Sequence, residues 1–174
     1  KVLFVQETGE PDWWPADKPL PEGVQYATSL ESVDPQAFEI LLIATDRDIS
    51  ESHPAHWKNA VIYRPKSLVL GIGCDRGTAP DLVNRGVLTL LAKHGLSPKS
   101  VKELATIEAK LDEPALLTLS EKYGWPLRAF PPGELDVVSG IQNPSEKVKH
   151  YVGSRGVAEP AALLAAGVEE LLVP

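Results

Sequence analysis

Methionine is absent from the 174 residues, cysteine occurs once, and no apolar stretch approaches the length of a membrane span. The longest stretches, Phe38 to Ala44 and Ala161 to Ala166, fall far short of the roughly twenty residues a bilayer requires, so no span is expected. A lone Cys74 cannot close an internal disulfide, and no basic, apolar leader precedes the first strand; the expected compartment is the cytoplasm. Positive charge is scarce as well: 17 Lys and Arg against 24 Asp and Glu give a net charge of −7 and a pI of about 5.1. That balance argues against a nucleic-acid or anionic-membrane surface, and any anionic ligand must find local positive charge. A chain without methionine that opens at Lys1 directly in an apolar run points to a preceding segment; the alternative is that modified methionines are left out of the sequence.

What is there is globular: 43% hydrophobic and 24% charged residues, with no internal repeat or low-complexity tract. The texture changes near Arg64-Pro65-Lys66, so we expect a smaller strand-rich α/β region over 1–66 and an α/β domain over 67–174. In the first, Val2 to Gln6, Phe38 to Ala44 and Ala60 to Tyr63 read as strands, and Pro11 to Gly23, with four prolines and Trp13-Trp14, reads as an ordered loop. Helical periodicity is sparse there, so that sheet must pack on something else.

In the second region strands alternate with single helices, which implies a mostly parallel sheet with flanking helices. Ser67 to Gly71 is a strand. Thr78 is the expected N-cap of a helix whose inner face carries Val83, Val87, Leu90, Leu91 and His94, with Gly95 as its stop. Val101 to Ile107 and Pro126 to Phe130 are strands around a helix opened by Glu113-Pro114, with Leu116, Leu117, Ser120 and Tyr123 on one face. Asn143-Pro144-Ser145-Glu146 has the form of a capping box for a helix running to about Val152. Ala158 to Ala166 is a further helix, and Leu171 to Val173 a last strand.

Chemistry is expected first at Gly71-Ile72-Gly73-Cys74-Asp75-Arg76-Gly77-Thr78, between a strand and a helix, where glycines admit a ligand and a helix N-terminus offers N–H groups. The spacing misses the dinucleotide fingerprint and no P-loop Lys follows, so a tight packing turn explains the pattern equally well. Cys74 reads as a small buried hydrophobe rather than a reactive thiolate. Arg76 suits carboxylate binding, although a pair with Asp75 or Asp81 would also explain it. Lys147, Lys149, His150 and Arg155 make the densest positive run, which a solvated helix face would also produce. His53, His56 and His94 lack the spacing of a metal site, so no protein metal is expected. Glu113 and Glu159 each precede a proline at a helix start, where carboxylates are ordinarily caps, yet both fall at the sheet's carboxyl edge where α/β sites gather.

The ordered motifs carry a resemblance. Val69 to Thr78, then Lys110-Leu111-Asp112-Glu113-Pro114, then Asn143-Pro144-Ser145, then Val152-Gly153 with Val157-Ala158-Glu159-Pro160-Ala161-Ala162, together resemble the C-terminal domain of the cobalt-precorrin-5A hydrolases of anaerobic cobalamin biosynthesis. Trp13-Trp14, Asp46-Arg47 and Tyr63-Arg64-Pro65 resemble that family's middle region. Ala115 and Pro160 depart from its pattern, and its N-terminal domain is absent. The resemblance implies hydrolysis of the ring A δ-lactone of cobalt-precorrin-5A, with loss of acetaldehyde to give cobalt-precorrin-5B. Cobalt would arrive inside the corrinoid substrate, so no cofactor is expected. Substrate contacts are then expected at Gly71, Gly73, Cys74, Arg76, Gly77, Thr78, Ser145, Lys149 and Arg155, with Glu113 or Glu159 as general base, a role that burial favours by raising a carboxylate's pKa. The expected partners are the corrinoid intermediate and the family's N-terminal domain, while a homodimer is left open. The same domain also resembles small stand-alone proteins of the aerobic pathway, so the competing expectation is a non-catalytic corrinoid-binding or carrier module.

Overall fold

The computed structural model describes residues 1–50, 59–144, 150 and 153–174. The chain divides into two compact units, one of Lys1–Ser67 with Gly95–Ser100, the other of Leu68–His94 with Val101–Pro174.

In the first unit, strands β1 (Val2–Gln6), β2 (Val24–Ala27), β3 (Ile40–Ala44) and β4 (Ala60–Tyr63) form a parallel sheet in the order β2-β1-β3-β4. Side chains alternate between its faces. Leu3, Val5, Leu41 and Ile43 point into a core with Leu30 and Ile49, against which Val33 and Phe38 pack. On the opposite face Phe4 stacks on Trp13 with centroids 4.9 Å apart, and Trp13 meets Tyr63. Ile40, Val61 and Tyr63 stay exposed. The sparse helical periodicity is reflected in the 3-10 turns Leu30–Ser32 and Pro35–Ala37, capped by Ser29 and Asp34, and Pro98–Ser100 in the later segment, with no α-helix among this unit's described residues. The second turn ends at Phe38, which delays β3 to Ile40. Strand β2 lies outside the expectation, because its VQYA lacks the continuous apolar run that marks β4 at the same length. The Trp-rich loop is ordered as expected: the buried Gln6 amide donates to the carbonyls of Gly9 and Pro11 and accepts from the Trp13 N–H.

The second unit is built on β5 (Leu68–Gly71), β6 (Val101–Ile107) and β7 (Leu127–Phe130), parallel and in chain order. Helices α1 (Pro80–Lys93) and α2 (Pro114–Tyr123) pack on each other. After a five-residue helix, α3 (Pro132–Asp136), which was not foreseen, α4 (Ala158–Ala166) lies on β5 and β6. Its Ala161 and Ala165 meet Ala105, Ile107, Phe130 and Leu135 in one apolar cluster. The fold is α/β, with parallel sheets and flanking helices, as expected from the alternation of elements.

Four local expectations are corrected. Thr78 is not the N-cap of α1: Pro80 drives the residue before it into extended backbone, so Ala79 is the cap, and the Thr78 hydroxyl donates instead to the Asp75 carbonyl. The inner face of α1 runs through half-buried Val83, Val87 and Leu88 to buried Leu91, leaving Leu90 and His94 exposed. On α2, Ala115, Leu116 and Leu119 are buried and Leu117 is exposed. Leu171 to Val173 is irregular rather than a strand: beyond the left-handed stop at Gly167 the chain runs past Gly140, close enough that a Cβ there would lie 2.8 Å from the Glu169 carbonyl, and Leu172 is exposed. The helix expected from Asn143 to Val152 falls largely outside the described residues.

Candidate functional site

In a parallel sheet every strand delivers the chain to the same edge, so the loops after β5 and β6 meet there. Gly77 terminates the glycine turn with φ +76°, a conformation that frees its N–H to donate 2.8 Å to Oε1 of Glu113, at the start of α2. Glu113 is fully buried and caps no helix nitrogen. Its Oε2 lies 3.5 Å from the Lys110 ammonium and 3.9 Å from the Arg76 guanidinium, and has no hydrogen-bond partner among the described residues. Burying a carboxylate is costly, and the two cations with the Gly77 amide offset that cost. Arg76 reaches across the same edge, donating to Oδ1 of Asp112 at 3.0 Å and to the Ala109 carbonyl. The cluster therefore holds two cations and two carboxylates, with Asp112 and Arg76 at the surface and Glu113 beneath.

Of the expected site residues, Arg76, Gly77 and Glu113 come together. Cys74 lies close enough to feel Lys110 and Glu113; burial pushes its thiol up, Lys110 opposes that, and Glu113 adds to it, so the thiol form is favoured. Gly71 serves packing: a Cβ there would sit 1.9 Å from the Ala158 carbonyl, so α4 occupies the space that the glycine opens. Gly73 faces Val157 at ordinary contact distance and is itself exposed. Thr78 is bound to its own turn. Glu159 accepts from the backbone N–H groups of Gln142 and Asn143 and from the Asn143 side-chain amide. Burial raises its carboxyl, but these bonds outweigh that and hold it below the usual range. Arg155 turns to Asp136, whose carbonyl and carboxylate it engages. Ser145 and Lys149 lie outside the described residues, as do His53 and His56; no metal-ligating cluster occurs among the described residues. Lys110 was not singled out for a role, although its i,i+3 spacing from Glu113 was a usable signal.

The first unit has its own topological switch point, between β1 and β3, where ligands collect in open α/β sheets. Here the protein fills it. Glu7 accepts from Nε and Nη2 of Arg47, from the Thr45 hydroxyl and from the Leu30 N–H, all within 3.0 Å.

Residues 68–174, which take in the whole unit built on β5 to β7 together with Gly95–Ser100, match the family model described as Cobalamin synthesis G C-terminus. The chain belongs to this family. It is 40% identical over 171 residues to a cobalt-precorrin-5A hydrolase of Priestia megaterium, covering 98% of this chain and 46% of that protein. A second cobalt-precorrin-5A hydrolase, from Salmonella typhimurium, is 27% identical over 157 residues, 87% of this chain and 44% of that one. The protein CobE of a Sinorhizobium species is 37% identical over 107 residues, 61% of this chain and 70% of that one. A crystal structure of CobE, a protein of the cobalamin (vitamin B12) biosynthetic pathway, superposes with a TM-score of 0.53 at 33% identity, covering 56% of this chain and 70% of that one. The chain thus spans about half the length of the hydrolases it matches, and its cobalamin-synthesis family is the one its motifs resemble. No helix among the described residues is long and apolar enough to cross a membrane.

Proposed function

We propose that this chain acts in cobalamin biosynthesis as part of a hydrolase that opens the ring A lactone of cobalt-precorrin-5A, releasing acetaldehyde and leaving cobalt-precorrin-5B. The observation that carries the reading is the buried Glu113 carboxylate, with one oxygen short of a hydrogen bond, set beside two cations at the carboxyl edge of a domain shared with cobalt-precorrin-5A hydrolases. Glu113 takes a proton from water as the water oxygen bonds to the lactone carbonyl carbon. Lys110, released from its partner as Glu113 takes the proton, stabilises the negative charge that develops on the carbonyl oxygen. Collapse breaks the ring C–O bond, leaves a carboxylate, and returns the proton to the alkoxide. Loss of the alcohol proton then breaks the adjacent C–C bond, giving acetaldehyde, with the electron pair and a proton taken up by the macrocycle. Glu159 is a poor candidate for this role, since three hydrogen bonds hold it in its ionised form and lower its carboxyl below the usual range. Cobalt belongs to the substrate, and the remaining chain of the longer hydrolases is the partner that completes the enzyme.

A second reading, a corrinoid-binding module without hydrolytic activity, is favoured by the similarity of 61% of this chain to 70% of CobE, a protein of the cobalamin biosynthetic pathway. Acetaldehyde release from cobalt-precorrin-5A, followed by NADH-coupled reduction, separates the two. The hydrolase reading expects release by the longest reading frame that contains this chain, and its loss in Glu113→Gln. Corrinoid binding without acetaldehyde from either form overturns it in favour of the binding module.

A further inference from the structure

The Arg76–Asp112 pair differs from the rest of its cluster in being exposed: the Asp112 side chain retains 76% of its accessible surface and Arg76 59%, against 12% for Lys110 and none for Glu113. Arg76 is nevertheless held in place without Asp112, because its Nη2 donates to the Ala109 carbonyl and its Nη1 lies 3.9 Å from the buried Glu113. An exposed ion pair contributes little net stability, so exchanging one carboxylate for another on the same guanidinium costs little. Glu113 and Lys110 neutralise each other below. Removing Asp112 leaves one uncompensated cation facing solvent, with the planar donor edge that matches a carboxylate.

We propose that Asp112 is a resident counter-ion which a carboxylate group of the ligand displaces from Arg76, making Arg76, backed by Lys110, a carboxylate-binding subsite. This rests on the corrinoid reading above, since a corrinoid precursor is fringed with such groups. In the free protein Arg76 holds the Asp112 carboxyl below the usual range, chiefly through the hydrogen bond between them. Displacement by a ligand returns Asp112 to the ordinary carboxylate range.

The test titrates the whole chain with cobyrinic acid, a cobalt corrinoid with free carboxylates, with its fully methylated ester, and with tricarballylate as a small tricarboxylate. Asp112→Asn should tighten binding of the acid and of tricarballylate about three- to fivefold and leave the ester unchanged. In the Arg76→Gln background that gain should vanish, a coupling that mere loosening of the loop would not produce. Equal binding of acid and ester, or weaker acid binding by Asp112→Asn, overturns the subsite and leaves the corrinoid reading standing. If tricarballylate shows the expected pattern while neither corrinoid binds, the subsite stands and the corrinoid reading falls. If nothing binds, both fall.

Discussion

The Gly77 amide donates to the Glu113 carboxylate across 36 residues of sequence, a 2.8 Å hydrogen bond that ties the turn after β5 to the start of α2. Glu113 is therefore a structural tie as well as the candidate base. Glu113→Ala should destabilise the protein by about 3 kcal/mol, because it leaves the largely buried Lys110 ammonium unpaired and the part-buried Gly77 N–H without its acceptor. Glu113→Gln keeps an acceptor for Gly77 and should cost less, about 1–2 kcal/mol. Urea unfolding of both variants checks this, and equal midpoints for Glu113→Ala and the parent would show that the buried pair contributes nothing.

Two glycines make a contrasting pair. At Gly71 an added Cβ would collide with the Ala158 carbonyl at 1.9 Å, so Gly71→Ala should displace α4 and cost several kcal/mol, roughly the range of severe overpacking. Gly86, inside α1, has nothing within 4 Å of the same position. Gly86→Ala should therefore stabilise by about 0.5–1 kcal/mol through helix propensity. Thermal melts of the two single variants should move in opposite directions.

Glu31 offers a pH test. A hydrogen bond from Ser29, and then one from Arg47, lower its carboxyl to about 2. Because the folded value lies below the unfolded one, this contribution is fully present above the ordinary Glu range and is lost as pH falls toward about 2. Its exposure keeps the effect small. Glu31→Gln should lower the urea midpoint slightly at pH 7, and the difference from the parent should shrink between pH 4.5 and 2. A carboxyl NMR titration that places Glu31 at its ordinary value would remove the basis for this expectation.

Cys74 should alkylate slowly at neutral pH, since burial raises its thiol above the free value. Lys110 works against that shift, so Lys110→Gln should move the inflection of the iodoacetamide rate profile to still higher pH. An inflection below that of free cysteine in the parent would contradict the assigned environment.

Short-range signals account for much of what could be read in advance. Strands Val2–Gln6, Ala60–Tyr63 and Val101–Ile107, and helix Ala158–Ala166, have the bounds that their apolar runs and flanking breakers imply. Strand β2 is interrupted by a polar Gln25, helix α3 is only five residues long, and the Leu171–Val173 run imitates a strand but pairs with neither sheet. At the site, the residue types at Arg76, Gly77 and Glu113 were visible in the sequence. Their mutual roles were not.

The chain order of apolar runs, prolines and glycines by itself determined an α/β fold with parallel strands, because local sterics and hydrophobic period act over a few residues. Only the tertiary structure decided that Gly71 makes room for α4 rather than for a ligand, that Glu159 braces the 142–143 turn, and that Lys110 joins Glu113 beneath Arg76. Those outcomes depend on which strand ends meet at one edge and on how deeply each charge is buried, quantities set by long-range packing.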